Sequence, residues 1–192
     1  MKFKKILITG GAGFIGGNLI RKILKDTDNV VVYNLDKLSH ASNLESIEEL
    51  NLSKKRHFHL KIDLNNKKRV EKAILDISPD LIFHLAAESH VDRSIDNPTI
   101  FIESNIIGTF NLLEGTRKYF ETLSNTKKSL FRLLHISTDE VFGSTNNPKG
   151  FNENSPYSPS SPYSASKASS DHLVNAWRTT FNIPTIITNC SN

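Results

Sequence analysis

The fold is decided by residues 3–18, which read FKKILITGGAGFIGGN. The apolar run Ile6-Leu7-Ile8 is short and rich in β-branched residues, as expected of a strand covered on both faces. Gly10, Gly13 and Gly16 follow at a spacing of three and lead into an apolar pattern of helical period. Such a turn directs backbone N–H groups and the positive end of a helix to one point, where missing Cβ atoms let a diphosphate approach. The stretch therefore predicts a dinucleotide site.

A Gly-x-x-Gly-x-x-Gly spacing also occurs in tight strand-to-helix turns that bind nothing. The flanking apolar strand and amphipathic helix favour the dinucleotide interpretation here.

The composition indicates a globular protein of one domain. The chain has 192 residues, a formal net charge of +4 and a single cysteine, Cys190. One cysteine excludes an internal disulfide and a multi-cysteine metal site. No apolar run approaches the roughly 20 residues that a membrane span needs. The lysines are scattered without interleaved aromatic residues, so we expect no nucleic-acid partner. Because no apolar run is long enough to span a membrane, we also expect no membrane partner and a cytoplasmic location.

Strands and helices alternate along the sequence. We predict strands at 6–8, 30–35, 57–62, 81–85, 130–137 and 185–189, helices at 43–52, 67–77, 99–122 and 161–181, and a long loop at 143–162. This order predicts an α/β fold, a doubly wound parallel Rossmann sheet with helices on both faces. Its ligand site is expected at the C-terminal edge of the strands.

Several strand-end residues suit a nucleotide. Asp36 could accept both hydroxyls of an adenosine ribose, and its charge would repel a 2′-phosphate, which favours NAD over NADP. Asp63 could bind the adenine amino group or cap a helix, and both interpretations stay open. His84 and His90 lack a third ligand at metal spacing, so packing or a substrate contact is expected and no metal site is predicted.

Tyr163 and Lys167 lie four residues apart, one above the other on a predicted helix. A tyrosine is a poor base at neutral pH, but a neighbouring ammonium and the positive nicotinamide of NAD would lower its pKa. The pair is therefore a candidate base for a hydroxyl proton.

These features together resemble the extended short-chain dehydrogenase/reductase family. The resemblance is carried by the glycine turn, Asp36, Asp63-Leu64, Leu85-Ala86-Ala87, Thr138 and the YSASK run at 163–167. In that family a residue like Thr138 helps to bind the substrate hydroxyl beside the tyrosine.

Asp139 and Glu140 make the sequence less similar to the epimerases of the family, which usually carry small or neutral residues at these two positions. With the segments AESHVDRS at 87–94 and STDEVFG at 137–143, the sequence resembles the nucleotide-sugar 4,6-dehydratases. The resemblance implies dTDP-glucose as substrate, Tyr163 as base at the 4-hydroxyl, Glu140 as base at C5 and Asp139 as acid for the departing 6-hydroxyl. Paired carboxylates in a dry pocket can divide such roles.

The resemblance also supplies the expected binding residues. The catalytic set is Thr138, Asp139, Glu140, Tyr163 and Lys167. The NAD-binding set is Gly10, Gly13, Phe14, Ile15, Gly16, Asp36, Lys37, Leu38, Ser39, Asp63, Leu64, Leu85, Ala86, Ala87, Ser104, Tyr163 and Lys167. The substrate-binding set is Ser89, Thr138 and Asn192.

The resemblance implies that residues 1–192 form one NAD-binding Rossmann domain that carries the catalytic residues. It also implies that the family's C-terminal substrate domain is largely absent. A homodimer paired through the helices at 99–122 and 161–181 is implied as well. Three alternatives stay open: a UDP-sugar epimerase, a dehydratase of another nucleotide sugar, and an NAD-binding module without turnover.

Overall fold

Strand β1, Lys5–Thr9, lies inside a six-stranded parallel sheet. A computed structural model describes residues 3–39, 42–45, 47, 55–146 and 150–191. The strand order is β3-β2-β1-β4-β5-β6, with every neighbouring pair parallel. The other strands are β2 Val31–Asp36, β3 His57–Lys61, β4 Leu81–His84, β5 Arg132–Thr138 and β6 Thr185–Cys190. The doubly wound sheet predicted from the sequence is confirmed.

Helices alternate with these strands. They are α1 Phe14–Asp26, α2 Lys67–Ile77, α3 Val91–Asp96, α4 Pro98–Phe101, a π-helical segment Ile102–Ile107, α5 Gly108–Glu121, α6 Asn125–Leu130, a 3₁₀ turn Asp139–Phe142 and α7 Pro162–Phe181. The helix predicted at 99–122 is therefore continuous but contains a π-helical segment. Most of the helix predicted at 43–52 lies outside the described residues.

Side chains of β1 show how the two faces of the sheet are covered. Ile6 and Ile8 join a core cluster with Ile20 of α1, whereas Leu7 joins the cluster on the other face, with Val70 of α2 and residues of α5 and α7. Alternate residues of a strand point to opposite faces, so an apolar run is required where both faces are buried. This double coverage leaves the carboxyl ends of the strands as the natural ligand edge.

The predicted start of the fifth strand differs from the structure by two residues. The fifth strand was expected from residue 130, but α6 ends at Leu130 and β5 begins at Arg132. The Ser124 side chain accepts from the backbone N–H of Lys127 and caps α6, which holds residues 125–130 in a helix. The predicted loop is confirmed where it is described, since 143–146 and 150–161 contain neither helix nor strand.

Among the described residues, no helix combines the length and the apolar character needed to cross a bilayer. Within the same ranges, no three His, Cys, Asp or Glu side chains come together as a group that could hold a metal ion.

Candidate active site

A groove of about 450 Å³ runs along the C-terminal edge of the sheet. This volume is in the range of small-molecule and cofactor sites. Its lining comes from the ends of all six strands and from α1, the π-helical segment and α7. The lining residues are Gly10, Gly13, Phe14, Ile15, Gly16, Leu35, Asp36, Lys37, Ser39, Ser42, Ile62, Asp63, Leu64, Leu85, Ala86, Ala87, Glu88, Ser89, Ser104, Ile136, Ser137, Thr138, Tyr163, Lys167 and Cys190.

The glycine turn forms one wall of this groove. Gly10 has φ +72°, and a Cβ there would lie 2.6 Å from the backbone nitrogen of Ala86. A Cβ on Gly16 would collide with the carbonyl oxygen of Gly10. Gly13 differs, because its nearest neighbour would be the Gly10 oxygen at 3.4 Å and its backbone is extended. Packing thus requires two of the glycines, whereas Gly13 leaves open space at the start of α1.

The N-terminus of α1 is suited to an anion. No side chain caps this helix, and its first turn contains no acidic residue. The first N–H groups of a helix have no intrahelical partner and carry a partial positive charge. A diphosphate placed against this turn would satisfy them.

Asp36 lies at the end of β2 and lines the groove. Its Oδ2 accepts from the backbone N–H of Ala12 at 3.0 Å, and its Oδ1 accepts from the backbone N–H of Leu38 at 2.8 Å. The carboxylate therefore ties the glycine turn to the end of β2. Oδ1 also accepts from the Ser42 hydroxyl at 3.5 Å, so Oδ2 is the oxygen that keeps acceptor capacity for a further hydroxyl.

The N-cap of α2 is Asn66, whose side chain accepts from the backbone N–H of Arg69, so this helix is not capped by Asp63. The Oδ1 of Asp63 accepts from the backbone N–H of Asn65 at 2.9 Å, which stabilises the turn before α2. The residue also lines the groove. The turn role is present, and an adenine contact remains compatible with it.

Glu88 lies in the groove between two cations. Its Oε1 is 3.3 Å from Nζ of Lys37, and its Oε2 is 3.9 Å from Nη1 of Arg93. The backbone of Glu88 is held by Asn105, whose Oδ1 accepts from the Glu88 N–H at 2.8 Å and whose Nδ2 donates to the Glu88 carbonyl at 2.9 Å. The sequence analysis did not assign a role to Glu88 or Asn105.

The π-helical segment explains why Asn105 can do this. Asn105 is buried, and its Nδ2 also donates to Oγ of Ser166 on α7 at 2.8 Å. One extra residue per turn rotates the side chains that follow, and such segments are frequent at functional sites. The segment also contributes Ser104, a predicted cofactor contact, to the lining.

Tyr163 lies near the start of α7, with its phenol close enough to the Thr138 side chain at the end of β5 for that hydroxyl to lower its pKa. Ser161 and Ser164 form a capping box, with Pro162 at the first helical position, which fixes where α7 begins. Thr138 and Tyr163 both line the groove. The structure thus brings together the predicted hydroxyl pair.

The pKa of Tyr163 is raised in this structure, whereas the expected lowering was for the protein with NAD bound. Burial raises the pKa of its phenol, the hydrogen bond with Thr138 lowers that pKa, and the charges of Glu140 and Asp139 raise it. Lys167 was expected to lower this pKa. Its ammonium instead donates to the Ile136 carbonyl at 2.7 Å, and burial lowers the pKa of Lys167 itself to about 8.

Asp139 and Glu140 open the 3₁₀ turn directly after Thr138. The Thr138 hydroxyl donates to Oδ1 of Asp139 at 3.4 Å and accepts from the backbone N–H of Glu140 at 3.3 Å. Both acids are half-buried, and burial followed by the charge of Asp139 raises the pKa of Glu140. Their charges act on Tyr163, although neither residue is part of the groove lining.

Most predicted binding residues line the groove, including Ser89, Ser39 and Ser104. Leu38 does not, since it forms the turn after β2 with φ +61°. Asn192 lies outside the described residues. His84 is buried, with Nδ1 2.7 Å from the Thr9 hydroxyl and Nε2 2.9 Å from the Thr109 hydroxyl, so it has a packing role. The lining residues that sequence reasoning missed are Leu35, Ser42, Ile62, Glu88, Ile136, Ser137 and Cys190.

A parallel doubly wound sheet, a glycine turn at the start of α1 and a Thr-Tyr-Lys group at the ligand edge define a dinucleotide-binding domain of the short-chain dehydrogenase/reductase type. Comparison with known families makes this specific. The model of the family described as GDP-mannose 4,6 dehydratase matches residues 7–192, and the chain belongs to that family.

The relatives agree with this assignment. The dTDP-glucose 4,6-dehydratase of Salmonella typhimurium is 52% identical, over 98% of this chain and 54% of the relative. The crystal structure of a dTDP-glucose 4,6-dehydratase from Streptomyces venezuelae with NAD bound has a TM-score of 0.84 and 35% identity, over 97% of this chain and 55% of that one. A Thermus thermophilus UDP-glucose 4-epimerase in complex with NAD has a TM-score of 0.81 and 28% identity, over 96% of this chain and 54% of that one.

The chain spans about half the length of the curated relatives it matches.

Proposed function

We propose that this chain is the cofactor-binding and catalytic part of an NAD-dependent nucleotide-sugar 4,6-dehydratase that acts on dTDP-glucose. The observation that carries the proposal is the acid pair Asp139-Glu140, which follows Thr138 directly and acts electrostatically on Tyr163. The relatives named dTDP-glucose 4,6-dehydratase, at about half of all positions identical, support the same reaction.

The groove fits NAD at three points. The uncapped first turn of α1 beside Gly13 offers N–H groups to the diphosphate. Asp36 offers a carboxylate oxygen to the adenosine ribose and disfavours a 2′-phosphate. The small residues Ala86 and Ala87 at the end of β4 leave room for a flat ring on the way to Tyr163. When bound, NAD supplies the acceptor for the C4 hydride and the donor of the same hydride to C6.

Tyr163 begins the reaction by taking the proton of the sugar 4-hydroxyl, which Thr138 helps to hold. Its raised pKa makes the phenol a stronger base once ionised, but it needs a positive charge nearby to ionise at neutral pH. Lys167, one helical turn away on the same face of α7, supplies such a charge when its ammonium is protonated.

The two acids perform the elimination. A ketone at C4 acidifies the C5 hydrogen, and Glu140, whose pKa is raised by burial, acts as the base for that proton. Asp139 protonates the 6-hydroxyl, which leaves as water. Glu140 returns its proton to C5 when C6 is reduced. The proton that Tyr163 took replaces the one that Asp139 gave, so the protein ends unchanged.

Incubation of the protein with NAD and dTDP-glucose tests the proposal. A product 18 mass units lighter, with a 4-keto group, is expected from the loss of one water. A C4 epimer without a ketone would contradict the roles given to Asp139 and Glu140 and would favour the epimerase alternative. The structural similarity to the Thermus epimerase is the reason to test for that product.

Asp139→Asn separates the steps. It keeps the shape of the residue but cannot act as an acid, so water loss should slow much more than C4 oxidation. Oxidation is read from NADH absorbance in a single turnover, and water loss from product mass. Equal slowing of both steps would contradict the acid role.

A second candidate is an NAD-binding module without turnover, because neither Asp139 nor Glu140 lines the groove. Calorimetry of this 192-residue chain with NAD and with dTDP separates the candidates. Binding of NAD without binding of dTDP and without turnover would support the module. Binding of both would support the dehydratase.

We also propose a homodimer paired through the helical stretch of α4, the π-helical segment and α5, together with α7. Ile102, Ile107 and Phe181 on these helices are exposed despite being large and apolar. Sedimentation of wild type and Ile107→Glu tests this pairing. The wild type should form dimers that the variant loses, and a wild type that stays monomeric at high concentration would contradict it.

A further inference from the structure

A buried carboxylate, that of Asp171, lies on α7 beyond the part of the helix that lines the groove. Tyr163, Lys167 and Asp171 are spaced by four residues along α7 and therefore share one helix face. Asp171 is fully buried, with 0% of its surface exposed. A buried carboxylate is costly unless it is paired and hydrogen-bonded, so its partners indicate what it does.

Asp171 connects three parts of the chain through one oxygen. Its Oδ2 accepts from the Ser137 hydroxyl at 2.6 Å and from the Tyr157 hydroxyl at 3.0 Å. Ser137 immediately precedes Thr138 at the end of β5, and Tyr157 belongs to the long loop before α7. Two hydroxyl donors on one oxygen favour the ionised carboxylate as their acceptor.

Lys167 lies one turn of α7 before Asp171, and the two charges act on each other without a direct ion pair. Lys167 is 5% exposed, and the charge of Asp171 raises its pKa, opposing the stronger lowering by burial. Burial raises the pKa of Asp171, and the hydrogen bond from Ser137 and the charge of Lys167 oppose that increase. The Lys167 ammonium donates one hydrogen bond, to the Ile136 carbonyl, which belongs to the residue before Ser137.

We propose that Asp171 is a positioning residue for this site: its buried carboxylate keeps the Lys167 side chain protonated and, through Ser137, fixes the end of β5 against α7. The same carboxylate also accepts a hydrogen bond from the Tyr157 hydroxyl and so holds the loop before α7. The consequence for catalysis rests on the proposed function, because it is Lys167 in its charged form that assists Tyr163. The coupling between Asp171 and Lys167 does not depend on the reaction.

Other groups around Lys167 do not replace this charge. His135 on β5 lies with Nε2 3.1 Å from Oδ1 of Asp171, but burial and the charge of Lys167 hold the pKa of His135 well below 6.5. Burial, followed by interactions with His135 and Lys167, likewise lowers the pKa of His84 on β4 well below 6.5. Cys190 on β6 also raises the pKa of Lys167, but less than Asp171 does.

The direct test is the pKa of Lys167 in the cofactor-free protein with and without the carboxylate. The Lys167 signal is followed by NMR in lysine-labelled protein and is assigned by its loss in Lys167→Arg. In wild type it should titrate near the pKa of about 8 that burial produces. In Asp171→Asn the pKa should fall by about one pH unit or more, as expected on loss of a nearby opposite charge. An unchanged pKa in folded Asp171→Asn would overturn the proposal.

Ser170→Ala is the matched control. Ser170 is also buried on α7, and its hydroxyl donates to the carbonyls of Asn105 and Ser166 without contact to Lys167. The variant loses a buried hydrogen bond but no charge. It should lower stability without moving the pKa of Lys167, and an equal shift in both variants would indicate a merely structural role.

The reciprocal experiment decides the matter if Asp171→Asn does not fold. Coupling between two titrating groups is mutual, so Lys167→Met should raise the pKa of the Asp171 carboxyl. An unchanged carboxyl pKa would overturn the proposal. Both titrations are made without NAD or substrate, so they stand even if the protein proves not to be a dehydratase.

Discussion

Lys37 and Glu88 form an ion pair, with 3.3 Å between Nζ and Oε1, although they follow different strands of the sheet. Lys37 comes directly after β2, and Glu88 follows β4. Both residues line the groove. The pair therefore sets the direction of the one groove lysine next to Asp36, the predicted ribose acceptor.

Replacement of Glu88 by glutamine should weaken NAD binding about 2- to 5-fold, the scale expected of a partly exposed ion pair. The glutamine keeps the backbone bonds to Asn105 but no longer orients Lys37 by charge. Calorimetric titration with NAD measures the effect. Asp76→Asn is the control, because it breaks an exposed ion pair of 2.7 Å with Lys72 outside the groove lining and should leave the affinity unchanged. Equal losses in both variants would remove the special role of Glu88.

Gly13→Ala tests whether the glycine turn binds a ligand or only turns the chain. A Cβ at Gly13 meets only the Gly10 oxygen, at 3.4 Å, and φ is −77°, so the protein should fold with normal stability. The methyl group would occupy the place of the diphosphate, and NAD affinity should fall about tenfold or more. Gly17→Ala, inside α1 and outside the lining, should bind NAD like wild type. Unchanged binding by Gly13→Ala would mean that the turn is only structural.

Cys190 reports occupancy of the groove. It is the only cysteine of the chain, is exposed and lines the groove near Lys167. Bound NAD should slow its alkylation by iodoacetamide several-fold, since a ligand covers the lining of its pocket. The same concentration of NADP should protect less, because Asp36 repels a 2′-phosphate. Equal protection by both cofactors would contradict the role of Asp36.

His57 predicts how stability depends on pH. Burial, with a smaller effect of His59, lowers the pKa of His57 to about 4. The unfolded chain then binds the proton first, so stability is fully present above pH 6.5 and is lost as the pH falls from 6.5 towards 4. The loss should be up to about 1.4 kcal/mol per pH unit within this window. Urea unfolding at pH 7.5 and 5 should show a smaller loss in His57→Gln than in wild type, and equal losses would contradict the assignment.

The fold could be predicted because local patterns and tertiary demands agree. The apolar run at β1, the glycine turn and the helical period of α1 all indicate the same strand-turn-helix unit. In a parallel sheet whose strands alternate with helices, the crossover connections bring the carboxyl ends of all strands to one edge. Asp36, Asp63, Ala86 and Thr138 lie at or just after strand ends and therefore at that edge. The groove lining contains all four residues.

What the sequence did not reveal depends on contacts between distant segments. Glu88 carries no motif, and its role follows from Lys37 and from Asn105, which the π-helical segment turns towards it. The raised pKa of Tyr163 and the engagement of Lys167 with a strand carbonyl depend on burial, which side-chain spacing along one helix does not specify.

In the proposed reaction, the hydride removed from C4 of the sugar would be returned to C6, with NAD held in the groove beside Tyr163 as its carrier. Turnover of dTDP-glucose labelled with deuterium at C4, followed by NMR of the product, tests it most directly. The account predicts a 4-keto product that carries the deuterium on its C6 methyl group. Deuterium that remains at C4 of an epimerised sugar, or that is lost to water, would contradict it.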